Sequence, residues 1–269
     1  KQHRQKKNQK QPSASKDEQP KPKKYGDLLQ FDHLFADESV YKNKTGLVCL
    51  DTATNIIDML PRESKSAFDT QSAMKEFSGS WEVGMAFSDC APEIKKAVKQ
   101  LGWTQDTGVP YQPETRGKIE GAVKTVKYGG AANIEQAGMS ESWWDLAARL
   151  HLLYRNIQSG AWKSKWGENP KSMMQIPFGA QVTFKLPSHL IKEGHAFGPR
   201  GVPGVFLGHF LHPGGEWKGE MLVARLEDFQ HVPGSNETRK VRVFRTRTII
   251  EPPTYKFPLK VARDLARER

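Results

Sequence analysis

Residues 28–39 read LLQFDHLFADES and residues 83–93 read VGMAFSDCAPE. Each is an apolar, strand-like run carrying a marked acid: Asp32 near the middle of the first, Asp89 at the end of the core of the second. A third segment, GVPYQPETRGKIEGAVKTVK at 108–127, is helix-like and bears lysines, and Glu120 lies within it. Two strands and a helix can bring three carboxylates to one place. Carboxylates are hard oxygen ligands, and three of them can hold a pair of Mg²⁺ or Mn²⁺ ions for phosphoryl transfer. The basic surroundings suit a polyanionic substrate.

Working outward, Leu28–Phe35, Leu47–Leu50, Ile56–Leu60, Val83–Phe87 and Trp103–Val109 read as strands, and Lys42–Lys44 and Asp51–Asn55 as turns. Ser64 is placed to cap a helix over Lys65–Phe77. Ile94, Ala97, Val98 and Leu101 recur at helical spacing within Ala91–Leu101. A helix over Glu114–Lys127 should stop at Gly129-Gly130, and Ser140 should cap another over Glu141–Ile157 with a wide apolar stripe. Its Trp143 and Trp144 suit a core or a dimer contact. Strands leading and helices following predict an α/β mixed sheet with helices on its faces. From 177 onward the texture changes to short strand-like runs divided by Gly and Pro, which predicts a small β-barrel.

The order Asp32, Asp89, Glu120 and the segment VPYQPETRGKIEGAVKTVK resemble the integrase core of LTR retrotransposons, closest to the copia-like polyproteins. The resemblance covers roughly Tyr25 to Phe229, and PETRGKIE is its specific part. It implies a ribonuclease-H-like core whose catalytic metal ligands are Asp32, Asp89 and Glu120, with two Mg²⁺ or Mn²⁺ ions. FGPRGVPGVFLGHF resembles the SH3-like module that follows that core. The family's activity is cleavage and joining of DNA 3′ ends to a target, its partners are DNA and further copies of the same chain, and its location is the nucleus or a cytoplasmic retrotransposon particle. Cys90 stands where the family has Asn, and Gly121 where it has a bulkier polar residue. These departures keep a second reading open, a catalytically inactive or co-opted DNA-binding or assembly module. Ribonuclease H activity is a weaker third, since no segment supplies a fourth carboxylate.

The organisation expected is a basic tail at 1–24, a core at 25–160, a linker at 161–176, a barrel at 177–250 and a basic tail at 251–269. The first tail has no aromatic residue, is rich in Gln, Lys and Pro, and opposes its Lys and Arg with only Asp17 and Glu18. Such a segment should be disordered. The whole chain of 269 residues has a net charge of +11, with 7 Trp and 13 Phe for a core. No run of about 18 apolar residues predicts a membrane span, and the segment does not open on a hydrophobic leader. Cys49 and Cys90 sit in apolar contexts that suit buried thiols in a reducing compartment. His3 is the sole candidate ligand in the first tail, so no zinc is expected in this chain.

Lys124 and Lys127 follow Glu120 by four and seven positions and share its helix face, so they can track a DNA strand. Tyr111 and Arg116 lie in the approach to that helix, where the family contacts the DNA end; Tyr111 suits base stacking and core packing equally. Arg239, Lys240, Arg242, Arg245 and Arg247 cluster on one segment and suit backbone contact with DNA. His33 should point away from Asp32 by strand alternation. Asp51 reads as a turn residue, and Asp37 and Glu38 as loop residues.

Overall fold

The computed structural model describes residues 22–88, 91–107, 113–187, 190, 200–229 and 241–268. Three strands open the fold: β1 (Leu29–Phe35), β2 (Thr45–Asp51) and β3 (Ile57–Arg62). Helix α1 (Ala67–Ser78) leads to β4 (Ala86–Ser88), and α2 (Pro92–Leu101) to β5 (Gln105–Thr107). The strand order is β3-β2-β1-β4-β5. The β1–β2 and β2–β3 pairs are antiparallel and need only turns; β1–β4 and β4–β5 are parallel. Parallel neighbours need a crossover, and α1 and α2 lie on the two connections that require one. This is the ribonuclease-H-like mixed α/β core expected from the sequence.

Strand alternation sorts the sheet's two faces. Leu29, Phe31, Leu47, Cys49 and Leu60 form one core with Met74 and Phe77 of α1 and Ile94 and Val98 of α2. Leu34, Val48, Leu50, Ile57 and Met59 form the other, against α3 (Pro113–Ala137) and α4 (Trp144–Gln158). β2 is buried along its whole length, as a strand covered on both faces must be. β3 is one edge of the sheet, and a charge network wraps over it. Arg149 of α4 pairs with Asp58 of β3 (3.1 Å) and Glu76 of α1 (3.5 Å), and Arg62 also pairs with Glu76 (2.9 Å). Charges on an edge oppose pairing with a foreign strand.

Several helix boundaries differ from expectation. Ser66, not Ser64, caps α1, accepting from the Asp69 N–H at 3.1 Å, while Ser64 donates to the Asp69 carboxylate. α3 does not stop at Gly129-Gly130 but runs through them for 25 residues. A Cβ on Gly129 would lie 2.0 Å from the His151 ring, and one on Gly130 3.2 Å from Ala148 Cβ. These glycines let α3 and α4 approach closely. Ser140 does act as a cap, accepting from the Ser142 N–H, but of a 3₁₀ turn, Glu141–Trp143, that precedes α4. The expected linker begins with a helix, α5 (Ala161–Trp166), whose Ala161, Trp162 and Lys165 are buried. Its aromatic residues fix it against the core, where the sequence alone suggested a linker.

The second sheet holds β6 (Gln181–Lys185), β7 (Gly201–His212), β8 (Glu216–Arg225), β9 (Val243–Thr246) and β10 (Ile249–Ile250). Its order is β10-β6-β7-β8-β9, every pair antiparallel, so the last strand returns to the first. It does not stand apart from the core. Trp143, Ala147 and Leu150 share one hydrophobic cluster with Val182, Phe184, Val205 and Phe206. A second contact joins the turn at Pro213–Gly215 to the end of α1, where Gly79 has φ 59° and ψ −126° and a Cβ on it would meet Gly214 Cα at 2.7 Å. The last segment, expected as a loose tail, forms α6 (Pro258–Arg267). Arg263 anchors it by a two-pronged pair with Glu135 of α3, at 3.0 and 2.7 Å. Among the described residues, no helix is long and apolar enough to cross a membrane.

Candidate functional site

Asp32 lies at the topological centre of the first sheet. From β1 the chain proceeds to β2 and β3 on one side, while β4 leads to β5 on the other. Such switch points open a crevice at the carboxyl ends of parallel strands, where ligands bind in α/β sheets. Among the described residues, the β1–β4 ladder ends at the pair Phe31 and Ser88. Asp32 is the next residue along β1, half-buried and opposite Val48 of β2. Leu34, two residues on, packs against α3 and α4, so alternation places Asp32 on that same face. Ser88 accepts a hydrogen bond from Gln105 Nε2 of β5 at 3.1 Å, which ties the β4 end to its other neighbour. Asp89 and Cys90 lie outside the described residues.

Glu120 sits on α3, the helix that covers the Asp32 face. Its neighbour Ile119 is buried against the sheet, while Glu120 is exposed. Lys124 and Lys127 are exposed farther along the helix. Their spacing puts Glu120 and both ammonium groups along one side. Among the described residues, no three His, Cys, Asp or Glu side chains gather into a metal-holding group; Asp89, the third carboxylate expected, is not one of those residues. Tyr111 and the Arg116 side chain are likewise outside the description.

The neighbouring acids and His33 have structural partners. His33 Nε2 lies 3.2 Å from Thr70 Oγ1 of α1, on the face opposite Asp32. Asp51 is fully buried and closes the β2–β3 turn. It accepts from the Thr54 N–H (2.7 Å) and hydroxyl (2.6 Å), and from the Gly26 N–H (3.0 Å). Asn55, with φ 61°, completes that turn. Glu38 pairs with Lys44 at 3.1 Å, and the Asp37 carbonyl accepts from the Trp144 indole at 2.9 Å.

On the second sheet, Arg242, Arg245 and Arg247 line the β9 edge, all three exposed, and Arg239 and Lys240 lie outside the described residues. Arg242 stands 5.1 Å from the Phe244 ring. Arg245 and Arg247 face Glu220, at 2.9 and 3.6 Å. Hydrogen bonds from His212 first, and then from Arg245, hold the Glu220 carboxyl below its usual range. The sequence reading did not single out Glu220. It lies on β8, the strand next to the arginines, and only strand pairing shows that neighbourhood.

No known protein family matches the chain, and no curated protein matches it. Among solved structures, the chain is similar to the catalytic core domain of BIV integrase, at 23% identity and a TM-score of 0.38. That likeness covers 49% of this chain and 84% of the other.

Proposed function

We propose that the chain is an integrase that cleaves DNA and joins 3′ ends to a target through divalent-metal chemistry. One observation carries the reading. Asp32 stands where the β1–β4 ladder ends, on the sheet face covered by α3, the helix that bears Glu120. Asp89 follows Ser88, the last described residue of β4, by one position in the sequence. Asp32 and Glu120 offer the hard oxygen donors that suit Mg²⁺ or Mn²⁺. Bound ions of that kind would polarise the phosphate and stabilise the attacking and leaving oxygens.

The remaining work falls to the protein. In strand transfer a 3′-hydroxyl oxygen forms a bond to phosphorus while the old ester bond to phosphorus breaks, so one phosphodiester replaces another. Little covalent chemistry is asked of side chains; positioning and charge neutralisation dominate. Asp32 and Glu120 would hold the ions that place the reacting phosphate, and Lys124 and Lys127 follow the strand away from it. Tyr111 and Arg116 contact the DNA end. DNA, in a nucleus or a retrotransposon particle, is the substrate, and further copies of the chain complete the assembly.

The test is joining of a short duplex end to target DNA with Mg²⁺ or Mn²⁺. Asp32→Asn should abolish joining while DNA binding persists; joining at the unaltered level refutes the assignment. One observation favours the alternative, a non-catalytic DNA-binding or assembly module. A Cβ at Gly121 would meet no atom within 4 Å, so packing does not demand a glycine beside Glu120. Persistent DNA binding with no joining by the unaltered chain, under either metal, would establish that alternative.

A further inference from the structure

Phe210 is placed by an irregularity in the sheet. The pairing of β7 with β8 shifts register twice; at the second shift, between the pairs His209–Met221 and Leu211–Trp217, Phe210 alone faces Lys218, Gly219 and Glu220, so β8 carries the extra residues. Bulges of this kind re-aim side chains and concentrate next to functional sites. Here the ring comes to lie under Arg245 of β9, with the guanidinium carbon 4.0 Å from its centroid. His212, two residues on, meets the same ring edge-on at 5.1 Å.

Glu220 closes the arrangement from β8. One carboxylate oxygen lies 2.9 Å from His212 Nε2, and the other accepts from Arg245 Nη2, also at 2.9 Å. The four side chains form a ring of contacts, Phe210 to Arg245 to Glu220 to His212 and back to Phe210. Within it Glu220 is sunk, its side chain 10% exposed, while Arg245 is 46% and Arg247 70% exposed. A guanidinium has five N–H donors in a rigid plane. The carboxylate and the ring engage one edge and one face of Arg245. The rest of the fork faces outward, with Arg247 beside it.

We infer that Glu220 is a positioning residue for phosphate recognition, holding Arg245 flat on Phe210 so that its free edge and Arg247 meet the backbone of a polynucleotide. Bidentate phosphate recognition depends on a guanidinium held in a fixed plane. This rests on the reading that the chain binds DNA. It adds to that reading a role for an acid, which simple charge matching would assign as repulsive.

That contradiction supplies the test. Removing a negative charge from a DNA-binding surface should tighten binding if only the overall field matters. If Glu220 positions Arg245, Glu220→Gln should weaken binding several-fold despite the added positive charge. The measurement is fluorescence anisotropy of the full chain with a short labelled duplex across a salt series, with a thermal melt to confirm folding. Phe210→Leu, which changes no charge, should weaken binding with the salt slope unchanged. Arg245→Ala should flatten that slope by about 0.9 log unit per log unit of salt. Tighter or unchanged binding by Glu220→Gln overturns the inference, as does an unaltered slope for Arg245→Ala. If the unaltered chain shows no salt-dependent binding, the DNA-binding reading fails first. If it binds and only these variants disobey, the positioning role alone fails.

Discussion

Replacing Lys165 by Met should abolish a pH dependence of stability that the unaltered protein shows above neutrality. Lys165 projects from α5 into the junction between the two sheets. Its ammonium donates to the Gly214 carbonyl at 2.6 Å and stands 3.4 Å from the centroid of the Tyr25 ring. Burial brings its pKa down from 10.5 to about 7, against the opposing pull of Asp58 and Asp51. Between those two values the unfolded chain holds a proton that the folded chain lacks, so stability rises with pH across that window. From pH 7 to 8.5 the gain from this one group is about 1.5–2 kcal/mol, taking about 1.36 kcal/mol per pH unit and half-titration at the start. From about pH 9 upward an opposing effect sets in. There the raised pKa values of the Cys49 thiol and the Tyr25 hydroxyl keep protons on the folded chain and pull stability down. Met matches the aliphatic stem and carries no proton, but it leaves the Gly214 carbonyl without its donor, a loss of about 1–3 kcal/mol. Urea midpoints at constant m-value, taken every half pH unit across the interval from about 6.5 to about 8.5, measure the effect. The curves of the unaltered protein and the Lys165→Met variant should diverge as pH rises. Parallel curves would refute the assignment of the slope to Lys165.

Three further substitutions probe α3. Gly117→Ala and Gly121→Ala should each raise stability by about 0.5–1 kcal/mol, since Ala outranks Gly in a helix and a Cβ at either position meets nothing within 4 Å; a lowered urea midpoint would contradict this. Gly129→Ala should do the reverse, because overpacking against the His151 ring costs about 1–3 kcal/mol and exceeds the propensity gain. Adding His151→Ala should recover most of that loss in a double-mutant cycle, and additive effects would show that the ring is not the obstacle.

The first four strands of the first sheet were legible because each is a short apolar run ended by a polar or turn residue. Asp32 was legible for the same reason, as an acid interrupting such a run, and alternation correctly turned His33 away from it. Asp51 was legible as a turn residue, though its burial and its three donors were not. What sequence did not reveal depends on partners distant in the chain. Gly129-Gly130 read as an interruption, because a glycine pair that admits a neighbouring helix looks locally like one that ends its own. Residues 161–166 read as part of a linker because their helicity comes from burying Trp162 and Lys165, not from propensity. The final segment read as a basic tail because Glu135, which anchors Arg263, is far away in sequence. Glu220 escaped notice for the same reason: the strand that sets it against Arg245 is joined to β9 only through a long intervening stretch.

The hydrophobic cluster shared by α4 and the second sheet bears on synthesis. Helix α4 is complete at Gln158, yet the surface it gives to that sheet is fully covered only when β10 returns to β6 at Ile249–Ile250, about 90 residues later. At roughly 5–20 residues per second, a nascent chain displays Trp143, Ala147 and Leu150 for on the order of 5–20 s. A ribosome that stalls between those points leaves a finished first sheet with an oily flank, a natural substrate for chaperones and a seed for aggregation. The two sheets are therefore bound to one fate on the ribosome, and release of the first as an independent fragment is disfavoured from the moment α4 forms.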